Sequence, residues 1–211
     1  MTHTPKLSLR GKAYQVLLDR LYDRKLVPGQ LINRRAIADD LGMSVAPVLE
    51  AMLQLEAEGF LKTIPRHGTQ VCVVRPEDTY GQLALRLGIE CQAMRMACGE
   101  PIRSDLPKLE SLAEIITETP LPSREHTKAD VAFHTALVQL AGCPALTQAF
   151  ERVMSRSLYL LQHGLSASPF PQVNHSHEEL LESLQTDNLA AAEVAIRTHI
   201  LAGKDKTFEG L

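Results

Sequence analysis

The chain has 211 residues, 45% of them hydrophobic and 4% aromatic, with a formal net charge of −3. That is enough apolar material for a sizeable core in one or two domains. No apolar run approaches the ~20 residues of a membrane-spanning helix, Met1 to Arg10 lacks the apolar core of an export signal, and the four cysteines form no CxxC pair, as expected of reduced thiols in the cytoplasm.

Charge divides unevenly along the chain. Residues 1–75 carry 11 Lys and Arg against 7 Asp and Glu, a balance of +4, whereas residues 76–211 carry 11 against 18, a balance of −7. A basic piece followed by an acidic one suggests a nucleic-acid reader joined to something else.

Ser8 to Arg24 has helical spacing, with Ala13, Val16, Leu17 and Leu21 on one side. Pro28-Gly29 closes the turn that follows. A short second helix is expected from Arg34 to Leu41, capped by Asn33 and stopped by Gly42. Ser44 caps a third that runs to about Glu58, with Pro47 tolerable in its first turn and Gly59 at its end. Phe60–Ile64 and Thr69–Val74 alternate like two strands around Pro65-Arg66-His67-Gly68, a hairpin. Helix, short helix, glycine turn, helix and hairpin is the order of a winged helix-turn-helix, whose third helix would enter the major groove. Its wing would carry Arg66 and His67 to the phosphates or to the minor groove.

Arg75-Pro76-Glu77-Asp78 is expected to be a linker, placing a boundary between domains 1–75 and 76–211. Six helices follow from the periodicity: Tyr80–Gly99, Ser104–Glu118, Glu125–Ala141, Pro144–Gln162, Asn174–Gln185 and Asn188–Phe208, with Asp187 as N-cap of the last. The fold class is therefore mostly α: a winged helix-turn-helix with a two-stranded wing, then an all-α six-helix bundle.

Within that bundle, Asp130, His134, His177 and His199 occupy apolar stripes. Asp130 and His134, four apart, share a face with Leu137 and Ala141. His177 shares one with Leu181 and Leu184, and His199 one with Ala192, Ala195 and Ile196. A lone histidine on such a stripe is usually a satisfied core residue. One carboxylate and three imidazoles converging inside a bundle would instead form a metal site. Mixed ligands of this kind suit zinc first, with nickel, manganese or iron also fitting. Four protein ligands could close a tetrahedral site, and a six-coordinate ion would keep two positions open. Arg86 and Glu90 share a stripe with Leu83, Leu87 and Met94. They are either a buried ion pair that fixes packing, or Arg86 points into a cavity to receive an effector carboxylate. His175 faces outward or contacts the effector, and His163 is expected as a cap or surface group.

Pro28-Gly29, Ile37-Ala38-Asp39-Asp40-Leu41-Gly42-Met43-Ser44, Pro47-Val48-Leu49-Glu50-Ala51-Met52, Leu55 and Glu58-Gly59 resemble the DNA-binding domain of the GntR transcription regulators. Pro65 through Val71 resembles that family's wing. Arg86-x-x-x-Glu90, Asp130-x-x-Phe133-His134, His177 with Asp187 ten residues on, and His199-Ile200 resemble the all-helical FCD effector domain of the FadR subgroup. The resemblance implies a homodimer on a palindromic double-stranded operator. It also implies one divalent transition metal per chain, held by Asp130, His134, His177 and His199, and a small organic-acid effector.

The family usually has Arg in a Ser-Arg-x-Pro-x-Arg-Glu pattern at the third helix. Here those positions are Val45 and Leu49. Arg to guanine is the commonest specific base contact, so either the operator differs from the usual one or recognition has moved. Arg34, Arg35, Ser44, Arg66, His67 and Thr69 are the candidates to carry it, with Val45, Ala46 and Leu49 at the helix start and Val45 or Leu49 suited to a thymine methyl. Arg34 and Arg35 could equally be solvated charges. The expected function is a repressor released by a carboxylate inducer. The alternatives are a regulator that senses the metal itself and, less in keeping with an attached DNA reader and no obvious general base, a metal-dependent enzyme.

Overall fold

The computed structural model describes residues 8–121, 123–163 and 176–202. These divide into two compact units. One holds the chain up to Pro76 together with a stretch beginning at Leu158, and the other begins at Glu77.

In the first unit, α1 (Leu9–Tyr22) is capped by Ser8, whose hydroxyl accepts from the Gly11 amide at 3.1 Å. Helix α2 (Arg34–Asp40) is capped by Asn33, whose side chain accepts from the amides of Arg35 and Ala36. Gly42, at φ +60, makes the left-handed turn into α3 (Val45–Ala57). Ser44 occupies the cap position of α3 without a side-chain bond. Helix α3 packs against α1 and α2, and buries Val48, Ala51, Met52 and Leu55, the stripe that its 3.6-residue period dictates. Leu17, Leu21, Phe60 and Tyr159 complete that core.

The wing has three strands, one more than expected. Strands β2 (Leu61–Ile64) and β3 (Gly68–Val71) form the hairpin, and β1 (Leu31–Ile32) adds to the free edge of β3, pairing Leu31 with Gln70 and Ile32 with Thr69. A two-residue strand is too short to show alternation, and only the partner strand brought to it by folding defines it.

The second unit is helical throughout its described part: α4 (Pro76–Ala97), α5 (Glu100–Glu118), α6 (Arg124–Gln139), the larger part of α7 (Pro144–Gln162), α8 (His177–Leu184) and α9 (Leu189–Leu201). The expected linker is the first turn of α4. Pro76 begins the helix with its φ already set, and Glu77 and Asp78 face the positive end of the dipole, so the same residues are a start signal. Pro101 lies in the first turn of α5, where its missing amide hydrogen leaves no helical bond unmade. The cap of α9 is Asn188, accepting from the amides of Ala190 and Ala191, and not Asp187, which pairs with Arg103 at 3.1 Å. Helix α5 packs on α6 and α8, and α8 on α9. Met94, Ile102, Leu109, Phe133, Leu184 and Ile196 lie at the centre of this core. No helix among the described residues is long and apolar enough to cross a membrane.

Candidate metal centre and DNA-facing residues

Helix α6 is fixed at its start by Ser123, whose hydroxyl accepts from the His126 amide. That sets the face on which Asp130 and His134 stand one turn apart. Helix α8 begins at His177 because Ser176 caps it through the Glu179 amide at 3.0 Å. His199 is in the last turn of α9. Folding brings all four together. Asp130 Oδ1 lies 3.3 Å from His177 Nε2 and 3.7 Å from His134 Nε2. The potential ligand nitrogens of His134, His177 and His199 lie within 4.8 Å of one another. Phe133 props two of the rings edge-on, with centroids 5.4 Å from His134 and 4.7 Å from His177.

Glu90 on α4 is the residue whose place in this cluster sequence reasoning missed. Its Oε2 lies 2.5 Å from His134 Nδ1, and its Oε1 accepts from Arg86 Nε at 2.6 Å. Glu90 and His134 are 1% and 0% exposed, and Arg86 7%. The two readings of Arg86 and Glu90 are thus joined by a third element, because the pair does not stand apart from the histidines. The available signal was a glutamate placed on an apolar stripe one turn after an arginine.

The electrostatics follow from burial and proximity. Burial pushes the Glu90 carboxyl up, but the neighbouring His134 and Arg86 outweigh it and hold Glu90 below its ordinary range. Burial likewise opposes the charge of Asp130, while His134, His177 and Arg86 bring it well below the usual carboxylate range. Arg86 is stabilised as a cation by Glu90 and Asp130 against its own desolvation. His199 is driven down to about 2, first by burial and then by the two neighbouring imidazoles, so it is neutral.

This donor set fits a divalent transition ion. His134 Nε2 and Asp130 Oδ2 are buried atoms with no hydrogen-bond partner. Buried polar atoms are rarely left so, and both border the three-histidine cluster. An imidazole nitrogen with a free lone pair and a carboxylate oxygen are what zinc, nickel, iron or manganese would take. When bound, such an ion supplies a fixed positive charge that can hold a carboxylate.

His199 also lines a groove of about 770 Å³ between α8 and α9, whose walls include Leu180, Ala191, Val194 and Thr198. His175 lies outside the described residues. His163 is half-buried and caps the end of another helix: its Nε2 lies 3.0 Å from the carbonyl oxygen of Leu21 in the last turn of α1, and its ring packs beside Tyr159.

In the first unit, Arg34, Arg35, Ser44, Ala46, Leu49, Arg66 and His67 are exposed, and Val45 and Thr69 partly so. Arg34 and Arg35 open α2, Ser44 to Leu49 form the first turn and a half of α3, and Arg66 and His67 form the wing tip. Arg66 adopts φ +66 there, a left-handed conformation that turns the chain between β2 and β3.

Residues 9–71 match the model of bacterial regulatory proteins of the gntR family, and residues 82–202 match that of the FCD domain. The chain belongs to the GntR family, in its branch with an FCD domain. A probable D-xylose utilization operon transcriptional repressor of Paenarthrobacter nicotinovorans is 26% identical over 184 residues, 84% of this chain and 79% of that protein. The Nta operon transcriptional regulator of Aminobacter aminovorans is 27% identical over 184 residues, 86% of each. Among solved structures, a putative GntR regulator from Rhodococcus sp. RHA1 superposes with a TM-score of 0.67 at 21% identity, covering 92% of this chain and 94% of that one, which speaks for the fold alone. Family and relatives alike are transcription regulators.

Proposed function

We propose that the chain is a transcriptional repressor whose operator affinity is set by a small organic acid bound at a metal ion in the helical unit. The observation that carries this reading is the meeting of His134, His177 and His199, with Asp130 beside the first two and two orphaned donor atoms among them. One divalent ion per chain, zinc by preference, satisfies those atoms. The groove at His199 is of the size that small-molecule sites have. An anionic effector enters from it and adds its carboxylate to the ion.

Two heads in a homodimer then read a palindromic operator, with half-sites about one helical turn apart. Arg34, Arg35 and the wing residues supply phosphate contacts, and Val45 and Leu49 offer apolar contact to thymine methyls where the family's usual arginines are missing. Domains 1–75 and 76–211 divide these tasks, and the protein acts in the cytoplasm, where its operator is. The effector must prefer the released state by a real free-energy difference, since equal affinity for both states shifts nothing.

The test has two parts. Purified protein carries one transition metal per chain, and the His134→Ala/His177→Ala variant carries none. With metal held constant, a screen of sugar acids, hydroxy acids and dicarboxylates finds one that raises the melting temperature and lowers affinity for the promoter beside the protein's own gene. Metal content unchanged by the double substitution ends the site assignment. Release by chelation alone, with no response to any acid, makes the metal itself the signal.

A further inference from the structure

We propose that Arg86 and Glu90 are positioning residues for the metal: they lock His134 in the one tautomer that can ligate. This rests on the metal reading above and goes one shell outward from it.

Glu90, an ionised carboxylate, can only accept. Its Oε2 sits 2.5 Å from His134 Nδ1, so Nδ1 must carry the hydrogen and donate. Ligation takes the neutral ring with its one proton, and with that proton placed on Nδ1 the lone pair is on Nε2. Nε2 is the buried atom of that ring that has no partner, and it lies 3.7 Å from Asp130 Oδ1. The hydrogen bond on one side of the ring thus frees the lone pair on the other. Carboxylates that accept from the distal nitrogen of a ligating histidine orient the ring and raise its basicity toward the ion.

Glu90 could not do this alone. A lone carboxylate 1% exposed would take up a proton and become a competing donor to the imidazole. Arg86 Nε, 2.6 Å from Oε1, keeps it ionised. With Oε1 given to Arg86 and Oε2 to His134, the glutamate is held at both ends. The order along the relay is Arg86, Glu90, His134, ion: two links within the protein and one to the metal. Helix α4 carries the first two, one turn apart, and α6 the third.

A packing role and a metal-positioning role separate in the Arg86→Met/Glu90→Leu variant. Replacing both members of the ion pair together strands neither of their own charges, so the metal-free variant should still fold and should lose less stability than Arg86→Met alone. Its zinc affinity, measured by competition with a chromogenic chelator, should fall by about 10–100-fold, the usual cost of losing an outer-shell partner. Glu90→Gln, which keeps shape and an acceptor but drops the charge, should fall between the two. Nitrogen-15 NMR of the metal-free wild type should show His134 protonated at Nδ1, and the double variant a mixture of tautomers. Wild-type zinc affinity in the double variant, or His134 protonated at Nε2 in the wild type, overturns the proposal while leaving the metal site standing. A wild type that binds neither zinc nor nickel overturns both.

Discussion

At the scale of single residues, the cluster around His134 holds more charge than a helical core usually tolerates. Arg86 is the countercharge for both Glu90 and Asp130. Arg86→Met alone should therefore cost about 3–5 kcal/mol of unfolding free energy, because it strands a buried carboxylate. Denaturant melts of the metal-free protein will show whether the loss is that large. His199 gives a pH signature. Its folded pKa is depressed to about 2 from 6.5, so below 6.5 the unfolded chain binds a proton that the folded chain refuses. The stability it supports is complete above 6.5 and is lost as pH falls toward 2. Asp130, also depressed, adds to the loss below its ordinary value of 3.8. The metal-free protein should accordingly melt at lower temperature as the pH is taken from about 7 to 5, and His199→Gln should flatten that slope. A wild-type melting temperature that is level over this interval would mean His199 is solvated.

At the scale of elements, the ends of helices carry most of what the site requires. Gly99 joins α4 to α5 at φ +80, and a Cβ there would lie 2.1 Å from Asp187 Oδ1. Gly99→Ala should destabilise by about 1–2 kcal/mol from the left-handed backbone alone, with further loss as Asp187 is pushed off Arg103. Gly88 is the control. It lies exposed in the middle of α4 with open space about it, and Gly88→Ala should stabilise by up to about 1 kcal/mol through helix propensity. Thermal unfolding of the two variants side by side should move in opposite directions.

The same scale shows where sequence signals are ambiguous. Arg75-Pro76-Glu77-Asp78 has the composition of a linker and also that of a helix N-terminus. Proline stops a preceding helix and begins a following one with equal ease, so composition alone does not choose. The helix forms because Leu83, Leu87 and Met94 have a core to enter. Asp187 and Asn188 are both good caps. Asn188 takes the role because Asp187 has Arg103 within reach.

At the scale of the whole molecule, the chain joins the DNA-binding region of a GntR regulator to a helical FCD domain. The exposed Arg35 and Arg66 belong to the reader. Arg35→Ala and Arg66→Ala should each weaken binding to the promoter, and should reduce the dependence of log affinity on log salt by about 1 for each phosphate left without its arginine. Gel-shift titrations at several salt concentrations measure both. If affinity and slope stay unchanged in both variants, the DNA surface lies elsewhere on the head.

The amino-acid sequence by itself determined the helices of the bundle, the stripes they bury, the hairpin of the wing and the four residues that meet at the candidate metal centre. Those features are local: helical period, caps and four-residue spacing act within a few turns of chain. Only the tertiary structure decided that Glu90 would meet a histidine 44 residues further on, that Leu31–Ile32 would become a strand, and which nitrogen of His134 is left bare. Each of these depends on groups that become neighbours only after the chain has packed. A sequence records which side chains can bond, and the fold chooses which of them do.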